Sequence, residues 1–342
     1  MKTLRCACID VHTHVVPEHF PAYAGKAADA ACPSMAPAHA CHRHVMLSGK
    51  IYRTVSDGAW DVAARYAEMQ QQRVTAQVLS PMPELLSYWL DGADGAALSR
   101  YLNEQIAAMV AREPARFHGL GAVPLQDVER AIAELEFVMR ELKLSGVEIG
   151  SNVNGVALGD AKLEPFFAAA ESLGAAIFVH PLRPVGMERL IGPRNLEQIV
   201  AFPGESGLAA ASLLTGGTLR RHPGLRIAFS HGGGTLASLL PRLQHGWDTF
   251  AELRDAVPES PTVGARRMYY DSLVYDRLTL EHLIARFGET QICVGSDYPF
   301  AIRDKDPVGR IDALADADAV KALLLHQNAE RWLGLTPRGH SA

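Results

Sequence analysis

Four histidines and one aspartate stand where short apolar runs of the sequence end: His12, His14, His180, His231 and Asp297. In a strand, residues two apart point to the same side, so His12 and His14 can share one face. Neutral imidazoles and a carboxylate form a nitrogen and oxygen donor set that suits Zn²⁺, with Fe, Co or Mn as substitutes. One histidine after a strand is usually a hydrogen-bonded core residue. The coincidence of several such endings therefore favours a metal site.

The elements that must position these side chains are apolar runs alternating with longer stretches of helical periodicity. Eight alternations favour an α/β fold of the (β/α)8, or TIM, barrel type over an open doubly wound sheet, and either fold places its chemistry at the carboxyl ends of the strands. The predicted strands are Cys6–Val11, Val74–Leu79, Phe117–Val123, Gly146–Ile149, Ala175–Val179, Leu225–Ser230, Met268–Ser272 and Gln291–Gly295. The predicted helices are Ala59–Gln72, Ala96–Arg112, Val128–Leu142, Leu163–Leu173, Ser206–Leu219, Leu236–Ala256, Leu280–Phe287 and Ala319–Gln327.

Two segments fall outside this alternation. Residues 17–56 form a long insertion rich in Ala, His and Pro, which predicts a small cap over the barrel mouth. Residues 303–317 are predicted to be a charged loop. The simplest organisation is one domain, 1–342, with the cap inserted after the first strand. The cap also carries donor atoms suited to zinc, but their spacing matches no established zinc pattern and predicts a polar loop: Cys32, His39, Cys41, His42 and His44.

Composition excludes several classes of partner. The 342 residues are 48% apolar and 21% charged, with a formal net charge of −5, as in an ordinary globular protein. Nucleic acid and anionic membranes require a basic face and are therefore not expected as partners. Five cysteines, the absence of an apolar leader and the absence of a membrane-spanning run predict reduced thiols in a cytoplasmic protein. An anionic small molecule held by a few arginines remains compatible with this charge.

The motifs that carry the candidate ligands resemble those of the amidohydrolase superfamily. They are His12-Thr13-His14, His180-Pro181, His231-Gly232-Gly233-Gly234 and Gly295-Ser296-Asp297-Tyr298-Pro299. Arg53 and Arg242 narrow the resemblance to the branch that contains 2-amino-3-carboxymuconate 6-semialdehyde decarboxylase. The resemblance runs from about Ile9 to Leu333. It implies that His12, His14, His180 and Asp297 bind one Zn²⁺, or another divalent transition metal.

The same resemblance assigns roles to the remaining candidates. It implies that His231 is the acid/base beside a metal-bound water, with Asp297 also counted as catalytic. Arg53 and Arg242 would bind substrate carboxylates, with Arg242 reaching across a homodimer interface. The chemistry agrees, because a metal lowers the pKa of its water, an ordinary imidazole titrates near 6.5, and a guanidinium matches a carboxylate in two hydrogen bonds. For Arg53 and Arg242, a solvated cap residue and a surface ion pair are the alternatives.

These implications predict a zinc-dependent, non-oxidative decarboxylase of a carboxylated muconate semialdehyde or related dicarboxylate. The alternative is a metal-dependent hydrolase or hydratase of a ring-cleavage product or lactone, and a non-catalytic metal-binding scaffold is a third class. No Gly-rich dinucleotide or phosphate motif is present.

Two residues depart from the decarboxylase pattern. Leu182 stands where the family favours Trp, and Glu148 stands where Gln is common. Because of these two departures, the identity of the substrate is left undecided. Glu148 is expected to support a ligand histidine by a hydrogen bond, with recruitment of a second metal as the alternative.

Overall fold

Eight parallel strands form the sheet that the alternation predicts. The computed structural model describes residues 7–21, 32–193, 195–315 and 317–335. The strands are β1 (Ile9–Val15), β2 (Ser34–Pro37), β3 (His42–Leu47), β4 (Lys50–Ser56), β5 (Ala76–Pro81), β6 (Phe117–Gly121), β7 (Gly146–Gly150), β8 (Asn152–Val153), β9 (Val156–Ala157), β10 (Ala176–His180), β11 (Arg226–Phe229), β12 (Tyr269–Asp271) and β13 (Ile292–Cys293). The large sheet runs β1-β5-β6-β7-β10-β11-β12-β13.

Helices lie between these strands. They are α1 (Val62–Gln71), α2 (Gly92–Arg112), α3 (Val128–Arg140), α4 (Glu164–Leu173), α5 (Phe202–Thr215), α6 (Thr218–Arg221), α7 (Leu236–Thr249), α8 (Ala251–Ala256), α9 (Pro261–Ala265), α10 (Arg277–Phe287), α11 (Pro307–Asp312), α12 (Asp318–Ala322) and α13 (Asn328–Leu333). Asp side chains that accept backbone N–H groups begin α1, α2, α3 and α10. Among the helices described, none is long and apolar enough to cross a bilayer. The (β/α)8 barrel prediction is confirmed.

The barrel is completed by contacts between β1 and the chain around β13, which we call the seam. Val11 N donates to Val294 O at 2.8 Å, and Asp297 N donates to His12 O at 2.9 Å. Thr13 forms a parallel bridge with Tyr298. The seam therefore holds the segment that carries Asp297 against the strand that carries His12 and His14.

Apolar side chains fill the amino-terminal part of the barrel, and polar ones follow towards its carboxyl end. On β10, Ala176 and Phe178 belong to the inner apolar cluster, which Trp332 of α13 joins from the end of the chain. His180 comes next on the same face. β1 has a register shift between Asp10 and Thr13, and bulges of this kind re-aim side chains near functional sites.

Several element boundaries differ from those predicted. β1 continues through His14 to Val15, so the two histidines lie within the strand, and Cys6 lies outside the described residues. The long predicted helix Leu236–Ala256 breaks at Phe250, whose extended backbone separates α7 from α8. The predicted loop 303–317 contains α11, capped by Asp306. The final helical region continues to Leu333, because Trp332 packs beneath the barrel.

Within the predicted cap, β2, β3 and β4 form a three-stranded antiparallel sheet. Residues 22–31 of that segment lie outside the described residues. The organisation into one domain with a cap at 17–56 stays a prediction.

We expect Gly146→Ala to lower the free energy of unfolding by at least about 2 kcal/mol. A Cβ at Gly146 would lie 1.8 Å from the backbone oxygen of Ala176 on β10, so the sheet would have to open there. The matched control is Gly204→Ala in α5, where a Cβ meets nothing within 4 Å and should stabilise the helix slightly. Thermal and urea unfolding measure both variants. Equal stability of the two variants would contradict the expectation.

Candidate active site

Four predicted ligand residues meet at the carboxyl end of the barrel. His12 and His14 lie on β1, His180 ends β10, and Asp297 follows β13. All four are buried, and one ligand atom from each lies within 4.8 Å of the others. The Nε2 atoms of His12 and His14 are 3.0 Å apart, and they lie 3.4 and 3.1 Å from Asp297 Oδ1.

The second ring nitrogen of each histidine is turned away from this point. Nδ1 of His12 faces Asp271 Oδ2 at 2.6 Å, Nδ1 of His14 faces the oxygen of Pro81 at 3.1 Å, and Nδ1 of His180 faces the oxygen of Pro181 at 3.0 Å. These oxygens accept hydrogen bonds, so in the neutral form of each ring Nδ1 carries the proton and Nε2 presents a lone pair. Lone pairs therefore converge with a carboxylate oxygen.

This donor set fits a divalent metal. The 3.0–3.4 Å spacings match neighbouring ligands of an ion bound at about 2.0–2.2 Å. Asp297 Oδ1 is buried and has no hydrogen-bond partner among the described residues. The carboxylate oxygen and the imidazole lone pairs repel one another at this distance. A cation bound by all four atoms would remove this repulsion. The sequence-based prediction of a metal centre thus has a physical basis in the structure, whereas the donor set alone does not fix which metal is bound.

Asp271, which sequence analysis did not single out, organises two histidines at once. Its Oδ2 accepts from His12 Nδ1 and, at 3.0 Å, from the backbone N of His231, while Oδ1 accepts from Gly232 N at 2.8 Å. Burial alone would lower the pKa of His12, but the hydrogen bond and charge of Asp271 raise it to about 9 while no metal is bound, so Nε2 of His12 must release a proton when an ion binds. The sequence carried one signal for Asp271, because it is an acidic residue next to the end of the predicted strand Met268–Ser272.

Another group outside the sequence-based set, Arg65 of α1, supports β1 from behind. Arg65 is fully buried, and its guanidinium donates to His14 O and, at 3.1 Å, to Gln77 Oε1. Its plane lies 4.9 Å from the centre of the Tyr298 ring, on the other side of the seam. Burial lowers the pKa of Arg65 to about 10, so it remains charged at neutral pH. Arg65 therefore fixes the backbone that carries the ligands.

His231 adjoins the four-residue cluster. Its ring centre lies 5.2 Å from that of His12 and 5.1 Å from that of His180, and Nδ1 is 3.0 Å from Ser230 Oγ. Burial, together with the neighbouring His12, lowers the pKa of His231 to about 4, so the imidazole is neutral at pH 7. The sequence-based expectation of an ordinary value near 6.5 omitted this desolvation.

Both His231 and Asp297 have left-handed backbone conformations, with φ of 55° and 67°. Side-chain-bearing residues rarely adopt this region, and it recurs at functional sites where surrounding contacts hold it. For His231, the backbone hydrogen bond to Asp271 supplies one such contact. His231 and Asp297 are both residues for which the resemblance implied catalytic roles, and Tyr275, which lines the neighbouring pocket, shares this conformation with φ of 64°.

A narrow pocket opens beside the cluster. Its lining includes Arg53, Glu84, His180, His231 and Phe300, with Asp297 and Tyr275. The Arg53 guanidinium lies 3.9 Å from the centre of the Phe300 ring, so this arginine from β4 faces the site as predicted.

Arg242 lies apart from this pocket. It is exposed on α7 and is not among the pocket-lining residues of this chain. The structure thus brings Arg53 to the site, but it does not bring Arg242 there within one chain.

Glu148 lies beside the ligands without joining them. Its Oε2 accepts from Ser80 Oγ at 2.6 Å and lies 3.8 Å from His14 Nδ1, while Oε1 has no hydrogen-bond partner among the described residues. Burial raises its pKa to about 8. Leu182, the other departure from the family pattern, is a buried core residue outside the pocket lining.

The cap histidines form a separate surface group. The rings of His39 and His42 are 4.4 Å apart, and Cys41 Sγ lies 3.3 Å from His42 Nδ1. His44 instead contacts Thr54. Among the described residues, these side chains are not part of a metal-binding group, and His42 and His44 lie on β3 rather than in the polar loop that the sequence predicts.

The chain is similar in sequence to a named decarboxylase, and its fold is similar to those of solved structures. The chain is 37% identical over 332 residues to 2-amino-3-carboxymuconate-6-semialdehyde decarboxylase of Dictyostelium discoideum, covering 96% of this chain and 92% of that protein. The apo form of IDCase from Metarhizium anisopliae superposes with a TM-score of 0.83 at 21% identity, covering 98% of both chains. A 5-carboxyvanillate decarboxylase of Novosphingobium aromaticivorans, complexed with manganese and 4-hydroxy-3-methoxy-5-nitrobenzoic acid, superposes with a TM-score of 0.73 at 23% identity, covering 82% of both chains.

These comparisons confirm the resemblance drawn from the sequence, including its decarboxylase branch and the enzyme class that the branch implies. The family model for amidohydrolases matches residues 9–335, nearly the whole described chain. The chain belongs to the amidohydrolase family.

Proposed function

We propose that this protein is a zinc-dependent, non-oxidative decarboxylase of a carboxylated muconate semialdehyde or a related dicarboxylate. The observation that carries the proposal is the convergence of three imidazoles and Asp297 beside a pocket that also presents His231 and Arg53. The Dictyostelium relative, named for such a substrate, supports it. Three nitrogen donors and one carboxylate favour Zn²⁺, although the 5-carboxyvanillate decarboxylase contains manganese.

His12, His14, His180 and Asp297 would hold the metal, which would supply a Lewis acid and make hydroxide available near neutral pH. The chain's own residues handle the protons. His231 is neutral at pH 7 because burial lowers its pKa, so it can accept a proton and return it. The carbon that loses CO₂ must gain one proton, and His231 is placed at the pocket wall to deliver it. Asp297 lines the same pocket as His231.

Substrate binding falls to the arginines in this proposal. Arg53 stands over Phe300, where its planar guanidinium can form two hydrogen bonds with a carboxylate. For Arg242 to act, it must reach a site in a partner subunit. Exposed apolar side chains near α7, among them Leu208 and Leu239, are suited to a homodimer interface. Cytoplasmic location stays a prediction.

Glu148 has a supporting role in this proposal. Its carboxyl group lies 3.8 Å from His14 Nδ1 and is tied to Ser80. It lies outside the group of four ligand residues, so we assign it to holding the β1 histidines in place rather than to a second metal.

We expect His14→Ala and Asp297→Ala each to reduce bound zinc from about one per chain to less than about 0.1. Each change removes one converging donor from a buried site, and decarboxylation should be lost with the metal. His39→Ala on the cap surface is the control and should keep the metal. Elemental analysis of purified protein measures all three. An active wild-type protein without metal would refute the proposal.

His231→Gln should lower kcat by about 10²–10⁴-fold while metal content stays unchanged. The amide keeps a polar side chain at the pocket wall but cannot exchange a proton. Release of CO₂ from carboxylated muconate semialdehydes and aromatic acids, with product mass, gives the readout. Products that gain water and keep every carbon would instead indicate the hydrolase or hydratase.

Arg53→Ala and Arg242→Ala should each lower kcat/KM by at least about 10-fold with full metal occupancy. Co-expression of the Arg242→Ala chain with the Asp297→Ala chain shows whether Arg242 acts in the site of its own chain or in that of the partner. If Arg242 acts across a dimer, each mixed dimer regains one intact site and activity returns. If mixed dimers form and stay inactive, Arg242 does not act in the partner's site.

A further inference from the structure

The pocket contains a buried carboxylate that the proposed mechanism does not use. Glu84 lies in the short helical turn Pro83–Leu86 that follows β5, and its side chain lines the pocket together with Arg53 and His231. Only 8% of the residue is exposed. Oε1 accepts a hydrogen bond from the hydroxyl of Tyr52, the neighbour of Arg53 on β4.

The other oxygen of Glu84 lacks a partner. Oε2 is buried and accepts no hydrogen bond from any residue that the structure describes. Leaving such an atom unsatisfied is costly, and native proteins satisfy nearly all buried polar atoms. In a ligand pocket, the missing donor can come from the ligand itself.

Arg53 does not supply that donor. Within the described part of the chain, no ion pair joins Arg53 to Glu84 or to any other carboxylate within 4.0 Å. Yet the two groups line one pocket, and the half-buried Glu197 lies near enough to sense the charge of both. Arg53 thus offers a cation and Glu84 an acceptor to the same pocket, and each can still form further hydrogen bonds.

We propose that Glu84 is a specificity residue, whose Oε2 accepts a hydrogen bond from an amino or hydroxyl group on the carbon skeleton while Arg53 binds a carboxylate. Tyr52 fixes the orientation by holding Oε1. The assignment deepens the proposed function and rests on it for the reaction. A substrate without the donor leaves Oε2 unsatisfied, and sites built in this way discriminate strongly against such analogues.

Arg53 and Glu84 together make the pocket selective in two ways. An arginine alone would accept any carboxylate of the right size, so it cannot distinguish a bare acid from an amino or hydroxy acid. A carboxylate that needs a donor rejects bare acids and ethers, because a methoxy group offers only acceptor oxygen. The amino group in the name of the Dictyostelium enzyme's substrate and the hydroxyl of the nitrobenzoic acid ligand are donors of this kind.

The test is a binding comparison on the metal-loaded protein. The probes are the three monohydroxybenzoates and three monoaminobenzoates, each paired with its methoxy or methyl counterpart, measured by calorimetry. In the wild-type protein, at least one donor-bearing probe should bind about 10- to 100-fold more tightly than its counterpart. In Glu84→Gln this preference should fall to less than about 3-fold, because the amide NH₂ replaces the acceptor.

Two further variants keep the result interpretable. Glu197→Gln removes a neighbouring carboxylate charge and should retain the preference, which separates hydrogen bonding from general electrostatics. Glu84→Asp, for use if Glu84→Gln does not fold, withdraws the carboxylate by one methylene and should also lose the preference. Equal binding of each pair by wild type, a preference retained in Glu84→Gln, or an equal loss in Glu197→Gln would overturn the assignment.

Carbon dioxide release is measured separately from binding. A wild-type protein that shows the Glu84-dependent preference but releases no CO₂ from any acid would refute the proposed function and leave Glu84's role standing. A protein that releases CO₂ but shows no such preference would support the proposed function and refute the role of Glu84.

Discussion

The site depends on one electrostatic conflict: several lone pairs face a single point and nothing in the described chain donates to them there. Each histidine has its Nδ1 proton committed to an oxygen elsewhere, and Asp297 Oδ1 has no partner. In a buried setting such an arrangement is unfavourable until a cation resolves it. The fold keeps the imidazole lone pairs and the Asp297 oxygen close together, and the capacity to bind metal follows from that.

Three features of the barrel hold these groups in position. The shift of register in β1 and the buried Arg65 set the path of the strand that carries two ligands. Asp271 ties the ring of His12 and the backbone of His231 to one carboxylate. Left-handed backbone at His231 and Asp297 costs free energy, which the surrounding hydrogen bonds offset. These contacts are made by residues at the metal end of the pocket, whereas Arg53 and Glu84 approach from outside the barrel strands.

The sequence predicted most of the fold, because buried parallel strands are short apolar runs and their endings in His or Asp are conspicuous. It also named all four converging ligand residues. Boundaries that tertiary contacts decide were missed, as at Phe250, where α7 ends, and at Trp332, which extends the last helix. Asp271 and Glu84 were missed for a related reason. Each is an ordinary acidic residue in the sequence, and only the neighbours supplied by other elements make it special.

The seam has a consequence for how the protein is made. His12 and His14 precede Asp297, which lies across the seam from them, by nearly three hundred residues in the sequence, so they are synthesised well before it. His180 emerges between the two. The complete ligand set therefore cannot exist on a nascent chain until Asp297 has been synthesised, and earlier capture of an ion would involve histidines alone. The four-ligand site thus forms only in a barrel that has joined its first strand to its last.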